Sequence, residues 1–230
     1  GGYPPARMHL AGRRPLEFDR GMSVAPDFEF ETALIARGCT VVAGVDEVGR
    51  GPLAGPVTAA AVRLDPARIP PGLQDSKGLT AARRAALFDA LKETAQVSVA
   101  HASVDEIDSL NILRASHLAM ERAVAGLPAP PDHALIDGNL TPRGLTCAAT
   151  AVVKGDACCL SIAAASIMAK VTRDRIMVDL AQQHPGYGWE TNAGYPSKSH
   201  KQALLNLGVT PHHRRSFKPI HNILCEEQTA

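Results

Sequence analysis

Cys39 to Leu64 reads CTVVAGVDEVGRGPLAGPVTAAAVRL. Its first part, Cys39 to Asp46, is a β-branched apolar run that stops at a cluster of glycines and prolines, the pattern of a buried strand entering a loop. Val57 to Leu64 reads as a second strand. Asp46 and Glu47 stand side by side where the first strand ends. Neighbouring side chains on a regular strand point to opposite faces, so the two carboxylates are expected to reach one site only if the pleat breaks there. Gly49 and Gly51 supply the break, because glycine tolerates the backbone conformations that a sharp exit or bulge demands.

Outward from this stretch, strand and helix patterns alternate. Thr80 caps an amphipathic Ala- and Leu-rich helix to about Thr94, Gln96 to Ser103 reads as a strand, and a helix starting after Ser103 runs, interrupted near Asn111, to Ala125. Two short strands follow, His133 to Asp137 and Ala148 to Val153. Leu160 to Gln183 is a long helix whose first half, SIAAASIMA, is apolar on all sides and therefore buried. A Gly- and Pro-marked loop leads to a short final helix, Ser199 to Leu207. Residues 1–27, rich in Pro, Gly and Arg without an apolar period, read as a flexible arm, with structure starting near Phe28. The fold class is mixed α/β.

With 230 residues and 45% hydrophobic content, the chain can bury one sizeable core. No apolar run is long enough to span a bilayer, and the first residues lack the signal-peptide pattern, so no membrane association is expected. Cys39, Cys147, Cys158, Cys159 and Cys225 form an odd set without a C-x-x-C, which reads as small buried hydrophobes in a reduced, cytoplasmic compartment. A formal net charge of +1 argues against gripping nucleic acid by overall charge. Distribution matters more. Between Glu190 and Glu226 no acidic residue occurs, while Lys198, Lys201, Arg214, Arg215 and Lys218 lie there with His200, His212, His213 and His221. That segment is expected either to face phosphates or to form an ordinary solvated surface.

Asp46, Glu47, Asp137 and Asp156 all sit where apolar strands or turns end. Singly, each has a plain structural explanation: Asp137-Gly138 is a turn signal, and Asp156 is placed to cap the long helix. Together they repel one another and raise each other's pKa unless a cation neutralises them. Such hard oxygen donors suit Mg2+ or Mn2+ rather than zinc. Two such ions can activate a water and stabilise the leaving oxygen of an in-line displacement at phosphorus, which is phosphodiester hydrolysis. A zinc site built on His184, His200, His212, His213 and His221 is the competing reading, but neither H-E-x-x-H nor paired cysteines occur.

GVDEVGRGPLAGPVTAAAV (Gly44 to Val62) resembles the opening signature of ribonuclease HII, and the likeness continues in order along the chain. Asp75-Ser76-Lys77 is followed by LIDGN (Leu135 to Asn139), KGD and SIAAASIMAKVTRD (Lys154 to Asp174), HPGYGW (His184 to Trp189), Gly194-Tyr195, His200 and HRRSF (His213 to Phe217). The resemblance covers roughly residues 30 to 220. It implies a ribonuclease H-like fold, a central mixed β-sheet flanked by helices with a small helical C-terminal appendage. The catalytic domain would span 28–190 and a substrate-contacting helical segment 191–230. It implies an endonuclease that hydrolyses the RNA strand of RNA–DNA hybrids and cuts 5′ of ribonucleotides embedded in duplex DNA, leaving 3′-hydroxyl and 5′-phosphate ends.

By the same resemblance Asp46, Glu47, Asp137 and Asp156 are the catalytic metal ligands. Gly49, Arg50 and Gly51 form the loop whose backbone meets the ribose 2′-hydroxyl, Lys77 contacts a phosphate, and Tyr195 packs on the next sugar. A monomer acting on hybrid or ribonucleotide-containing duplex is implied. The chain departs from the family at Gly78, where a second lysine is common, at Ala193-Gly194-Tyr195-Pro196-Ser197, where K-G-Y-G-T is common, and over residues 1–27, for which no counterpart is expected. Ribonuclease HIII would carry an additional N-terminal domain, resolvases and integrases of the same fold lack Gly-Arg-Gly after Asp-Glu, and a hybrid-binding module without catalysis would not need the full acidic set.

Overall fold

The computed structural model describes residues 25–227, so the arm read over 1–27 lies almost wholly outside the described residues. The first helix, α1 (Glu29–Ala36), precedes β1 (Val42–Val48) and β2 (Val57–Leu64). Then come α2 (Ala81–Thr94), β3 (Ala95–Ala102), α3 (Val104–Leu110), α4 (Ile112–Ala125), β4 (His133–Asp137) and β5 (Ala148–Val152). The long α5 (Leu160–Gln183) leads to α6 (Trp189–Asn192), α7 (Lys198–Leu207) and α8 (Lys218–Glu227).

The strands form one mixed sheet in the order β3-β2-β1-β4-β5, antiparallel on the β3-β2-β1 side and parallel on the β1-β4-β5 side. Side-chain alternation sorts β1 onto two faces. Ala43 and Val45 join Ala115, Ala119 and Met120 of α4 in one core layer. Gly44 faces α5 so closely that a Cβ there would stand 2.2 Å from the Ser161 carbonyl carbon. The buried first half of α5 therefore lies against the sheet without an intervening side chain.

Caps set several boundaries. Thr80 accepts from the Arg83 amide, and Ser103 and Glu106 form a reciprocal capping box at the start of α3. Asn111 breaks α3 from α4 by adopting φ +73°, and its side chain caps α4. Asp156 does not cap α5. That end is served from α1, where the buried Glu31 Oε1 accepts from the Ser161 amide (2.8 Å) and hydroxyl (2.5 Å), which leaves Asp156 available elsewhere. Asp27, assigned to the arm, pairs with this region too, its carbonyl accepting from the Leu160 amide at 3.0 Å.

The C-terminal part has more structure than its sequence pattern indicates, since α8 follows the expected last helix. It shares a core with the rest of the fold: Trp189, Leu204 and Ile220 pack with Leu53 and Ala54 of the β1–β2 loop and Met177 of α5. The five cysteines are free thiols, but only Cys159 is fully buried, and Cys225 is exposed. No helix among the described residues is long and apolar enough to cross a membrane.

Candidate active site

The pleat does not break at Asp46 and Glu47, contrary to the sequence expectation. Strand β1 continues through both, with Glu47 opposite Ala59 and Val48 opposite Thr58. What brings the carboxylates to one place is a difference in strand length. Parallel pairing sets Val45 beside Ile136, so Asp46 is level with Asp137, where β4 ends. Beyond that point β1 has no neighbour on its β4 side. Asp46 and Glu47 flank this open edge from opposite faces, Asp46 toward α5 and Glu47 toward a cavity lined by Ser116 and His117 of α4 and by Asp137.

Asp156 reaches the same edge through the turn after β5. The Asp137 carboxylate accepts from the Gly155 amide at 2.7 Å and more weakly from the Asp156 amide at 3.4 Å. Gly155 packs closely here: a Cβ on it would lie 2.5 Å from Ile162 Cδ1, so the Ile162 side chain would have to move.

Electrostatics mark the four as one cluster. Burial pushes Asp46 well above the usual carboxylate range, Glu47 and Asp137 push it further, a hydrogen bond from Ser166 opposes them, and Asp156 adds to the rise. Glu47 is raised by burial, held back by Arg50, and raised again by Asp137. Asp156 is raised to about 6, by burial first and then by Asp137 and Asp75. Positive groups answer at the rim: Arg50 Nη1 lies 3.3 Å from Glu47 Oε1, and Lys77 Nζ lies 3.9 Å from Asp156 Oδ2. Burial would lower the Lys77 ammonium, but Asp75, Asp156, Asp46 and Asp137 outweigh it and raise it.

Among the described residues, no three His, Cys, Asp or Glu groups are already drawn together tightly enough to hold an ion. Each carboxylate is instead engaged by an amide or a side-chain cation, as expected of like charges kept apart by repulsion. The chemistry of the donor set still fits a hard divalent cation: four carboxylates, no thiolate, and a rise at Asp46, Glu47 and Asp156 that added positive charge would oppose.

The loop leaving β1 is built from below. Gly49 adopts φ +92°, and a Cβ there would lie 2.1 Å from Arg173 Nε. Arg173 and Arg214, both wholly buried, spend their donors on backbone carbonyls. Arg214 binds Gly49 O (2.6 Å), Arg50 O (3.0 Å) and Gly55 O, and Arg173 binds Ala54 O, Pro56 O and Ala193 O. With the carbonyls turned inward, the Arg50 and Gly51 amides are engaged by no described residue. Tyr195, 45% exposed, stands over this loop: a Cβ on Gly51 would lie 3.2 Å from Tyr195 Cε1.

The structure thus brings together Asp46, Glu47, Asp137, Asp156 and Lys77, and beside them Gly49, Arg50, Gly51 and Tyr195. It corrects the basic segment. Arg214, His200 and His213 are buried, so they cannot face phosphates; Lys198, Lys201, Arg215 and Lys218 are exposed. Short backbone pairing of Arg214 N with Leu53 O and of Gly55 N with His212 O turns the Arg214 side chain inward.

Two residues beyond the sequence-derived site also belong here. Ser166 bonds Asp46 and lies 2.8 Å from the Ser76 hydroxyl, and Arg173 holds the loop. The available signals were a serine and an arginine in a helix otherwise buried by apolar groups.

A family model, Ribonuclease HII, matches residues 43–220. Ribonuclease HII of Cereibacter sphaeroides (strain ATCC 17025) is 72% identical over 88% of this chain and 95% of its own length. That of Ruegeria pomeroyi is 65% identical over 97% of this chain and 98% of its own. An alignment of that extent takes in most of residues 1–27, so the expectation that nothing in the family corresponds to the arm does not hold. The crystal structure of ribonuclease H2 from Pyrococcus horikoshii OT3 superimposes with a TM-score of 0.70 at 29% identity, covering 83% of this chain and all of that one.

Proposed function

Because this chain belongs to the ribonuclease HII family, metal-dependent endoribonucleases that cleave the RNA of RNA–DNA hybrids, we propose that it also cuts duplex DNA 5′ of an embedded ribonucleotide, leaving 3′-hydroxyl and 5′-phosphate ends. Asp46, Glu47, Asp137 and Asp156 are the residues that would hold two divalent ions, Mg2+ or Mn2+. When bound, such ions supply the charge that activates a water and stabilises the leaving oxygen at phosphorus. The observation carrying this reading is the level pairing of Asp46 with the end of β4, which gathers carboxylates from three segments at one open edge of the sheet.

The protein's own groups position the strand. Lys77 and Arg50 meet phosphates at the rim of the acidic cluster. The Arg50 and Gly51 amides donate toward the ribose 2′-hydroxyl, a contact that a deoxyribose cannot make. Sites that bond a substrate hydroxyl reject the analogue lacking it by roughly 10⁴-fold or more, because their own polar groups are left unpaired. The exposed Tyr195 ring packs on the neighbouring deoxyribose. The protein acts as a monomer in the cytoplasm.

The test is a duplex with a single ribonucleotide, offered with divalent metal and with chelator, and the cut mapped. One cut on the 5′ side of the ribonucleotide, lost with chelator, is expected. A cut elsewhere, or cutting that survives chelation, contradicts the proposal.

A further inference from the structure

Beneath the Tyr195 loop lies a wholly buried pair of histidines, His200 on α7 and His213 just before Arg214. Their Nε2 atoms stand 3.1 Å apart, so one must donate and the other accept. The surroundings leave a single proton arrangement. A backbone amide can only donate, and that of Thr210 points at His213 Nδ1 at 2.9 Å; the Thr210 hydroxyl, itself accepting from the His212 amide, adds a second contact there. His213 therefore carries its proton on Nε2 and gives it to His200 Nε2. An indole N–H can likewise only donate, and Trp189 Nε1 points at the same His200 atom at 3.1 Å, so the two donors share the one lone pair of His200 Nε2. His200 is left with its proton on Nδ1, 2.9 Å from the Tyr195 carbonyl oxygen, which can only accept. Donor-only groups fix both histidines at one end, and an acceptor-only group closes the chain at the other.

We propose that His200 and His213 are positioning residues: a directional hydrogen-bond chain from Thr210 through His213 and His200 to the Tyr195 carbonyl that holds the Tyr195 ring over Gly51. The proposal rests on the reading of Tyr195 as the residue that packs on the neighbouring sugar. Neither histidine reaches substrate. The chain ends on a backbone carbonyl one bond from the Cα that carries the ring. That carbonyl also accepts from the Ser197 amide at 2.8 Å, and the rest of the loop is tied by Tyr195 N to Asn192 O, Gly194 N to Asn192 Oδ1, Leu53 N to Gly194 O and Arg173 to Ala193 O, so the His200 bond is the side-chain tie from the Tyr195 carbonyl to α7. Gly194 adopts φ +82°, and a Cβ on it would lie 2.6 Å from Ala54 O, so the loop tolerates little displacement before colliding with the loop below. Burial, reinforced by His200, draws His213 down to about 3, and burial lowers His200 as well, so the pair stays neutral near neutral pH and the proton order persists.

The amide nitrogen of asparagine falls near the place of a histidine Nδ1, whereas that of glutamine falls near Nε2. His200→Asn therefore keeps the donor to Tyr195 O and gives up the His213 contact, whereas His200→Gln discards that donor and can keep a hydrogen bond to His213; both lose volume. The readouts are the ratio of cleavage at a single embedded ribonucleotide to cleavage of a continuous RNA–DNA hybrid, and amide hydrogen exchange at Leu53, Gly194, Tyr195 and Ser197, with Tyr195→Ala as reference. His200→Gln should shift the cleavage ratio toward that of Tyr195→Ala, by about tenfold, and speed exchange in the loop. His200→Asn should keep both near wild type although the two variants melt alike.

Equal behaviour of the Asn and Gln variants in exchange overturns the latch. If Tyr195→Ala leaves the cleavage ratio unchanged while exchange still separates Gln from Asn, the latch stands and the sugar-packing reading of Tyr195 falls. If Tyr195→Ala shifts the ratio and His200→Gln does not, the histidines are ordinary core.

Discussion

At the tip of β1 buried carboxylates lie together, and burial and mutual repulsion raise Asp46, Glu47 and Asp156. A few residues on, the loop from Gly49 to Pro56 rests on two buried guanidiniums whose donors go to carbonyls rather than to carboxylates. Burial lowers Arg214 to about 9 and Arg173 to about 10, and each remains charged at neutral pH. The acidic cluster lacks the positive charge that would balance it, which supports the proposal that it takes up cations. The basic pair is satisfied by the backbone it shapes, so its charge is structural. Like-sign groups therefore need opposite readings according to whether their partners are other charges or peptide carbonyls.

Substitution should separate the two most sharply in activity. Asp46→Asn should reduce cleavage roughly a thousandfold or more, the scale on which losing one member of a catalytic unit acts. With chelator present its melting temperature should hold or rise, because a repelling charge is gone. Near-normal turnover at saturating Mg2+ would remove Asp46 from the site.

Arg214→Ala should do the reverse and act through stability. It leaves the buried carbonyls of Gly49, Arg50 and Gly55 without their donor, at roughly 1–3 kcal/mol for each group left unpaired, so a loss of about 3 kcal/mol or more is expected in denaturant unfolding. Arg214→Lys should recover little, because an ammonium cannot span the same carbonyls. A loss under 1 kcal/mol would mean the loop holds itself.

The titration signs also differ between regions. Asp156, raised to about 6, contributes stability that is complete below its unfolded value near 4 and is lost as pH rises through 6. His213, lowered to about 3, contributes stability that is complete above about 6.5 and is lost as pH falls toward 3. In metal-free protein, Asp156→Asn should therefore flatten the loss between pH 4 and 7, by about 1 kcal/mol after allowance for solvent exposure, and His213→Asn should flatten the loss on the acid side. Parallel pH profiles for wild type and both variants would contradict these assignments.

The smallest effect concerns Arg215. Its side chain is exposed, while its amide is held at 2.9 Å by Asp108. Arg215→Ala should reduce the slope of log affinity against log salt by at most about one phosphate contact. An unchanged slope would place it on a solvated face.

The site was legible in the sequence where its residues end strands. Strands β2 and β4 and helix α5 fall where apolar runs and Gly or Pro stops put them, and Asp137 follows from the end of β4 and Asp156 from the turn before α5, whereas Asp46 lies inside β1, which runs on to Val48. What the sequence withheld depends on pairs far apart in the chain. Glu31 capping α5 at Ser161 displaces the reading of Asp156 as a cap, and the overhang of β1 beyond β4 replaces the expected break in the pleat. Arg214 looked like a phosphate ligand because its charge is visible in the sequence and its carbonyl partners are not.

The most direct measurement is the melting temperature of wild type and Asp137→Asn protein titrated with Mn2+ after chelator treatment. If the carboxylates form one cation site, wild type gains stability in a saturable, concentration-dependent way, by RT ln(1 + [L]/Kd). Asp137→Asn starts at least as stable and gains much less. Equal gains in the two proteins, or no gain in wild type at concentrations that support cleavage, would contradict the account.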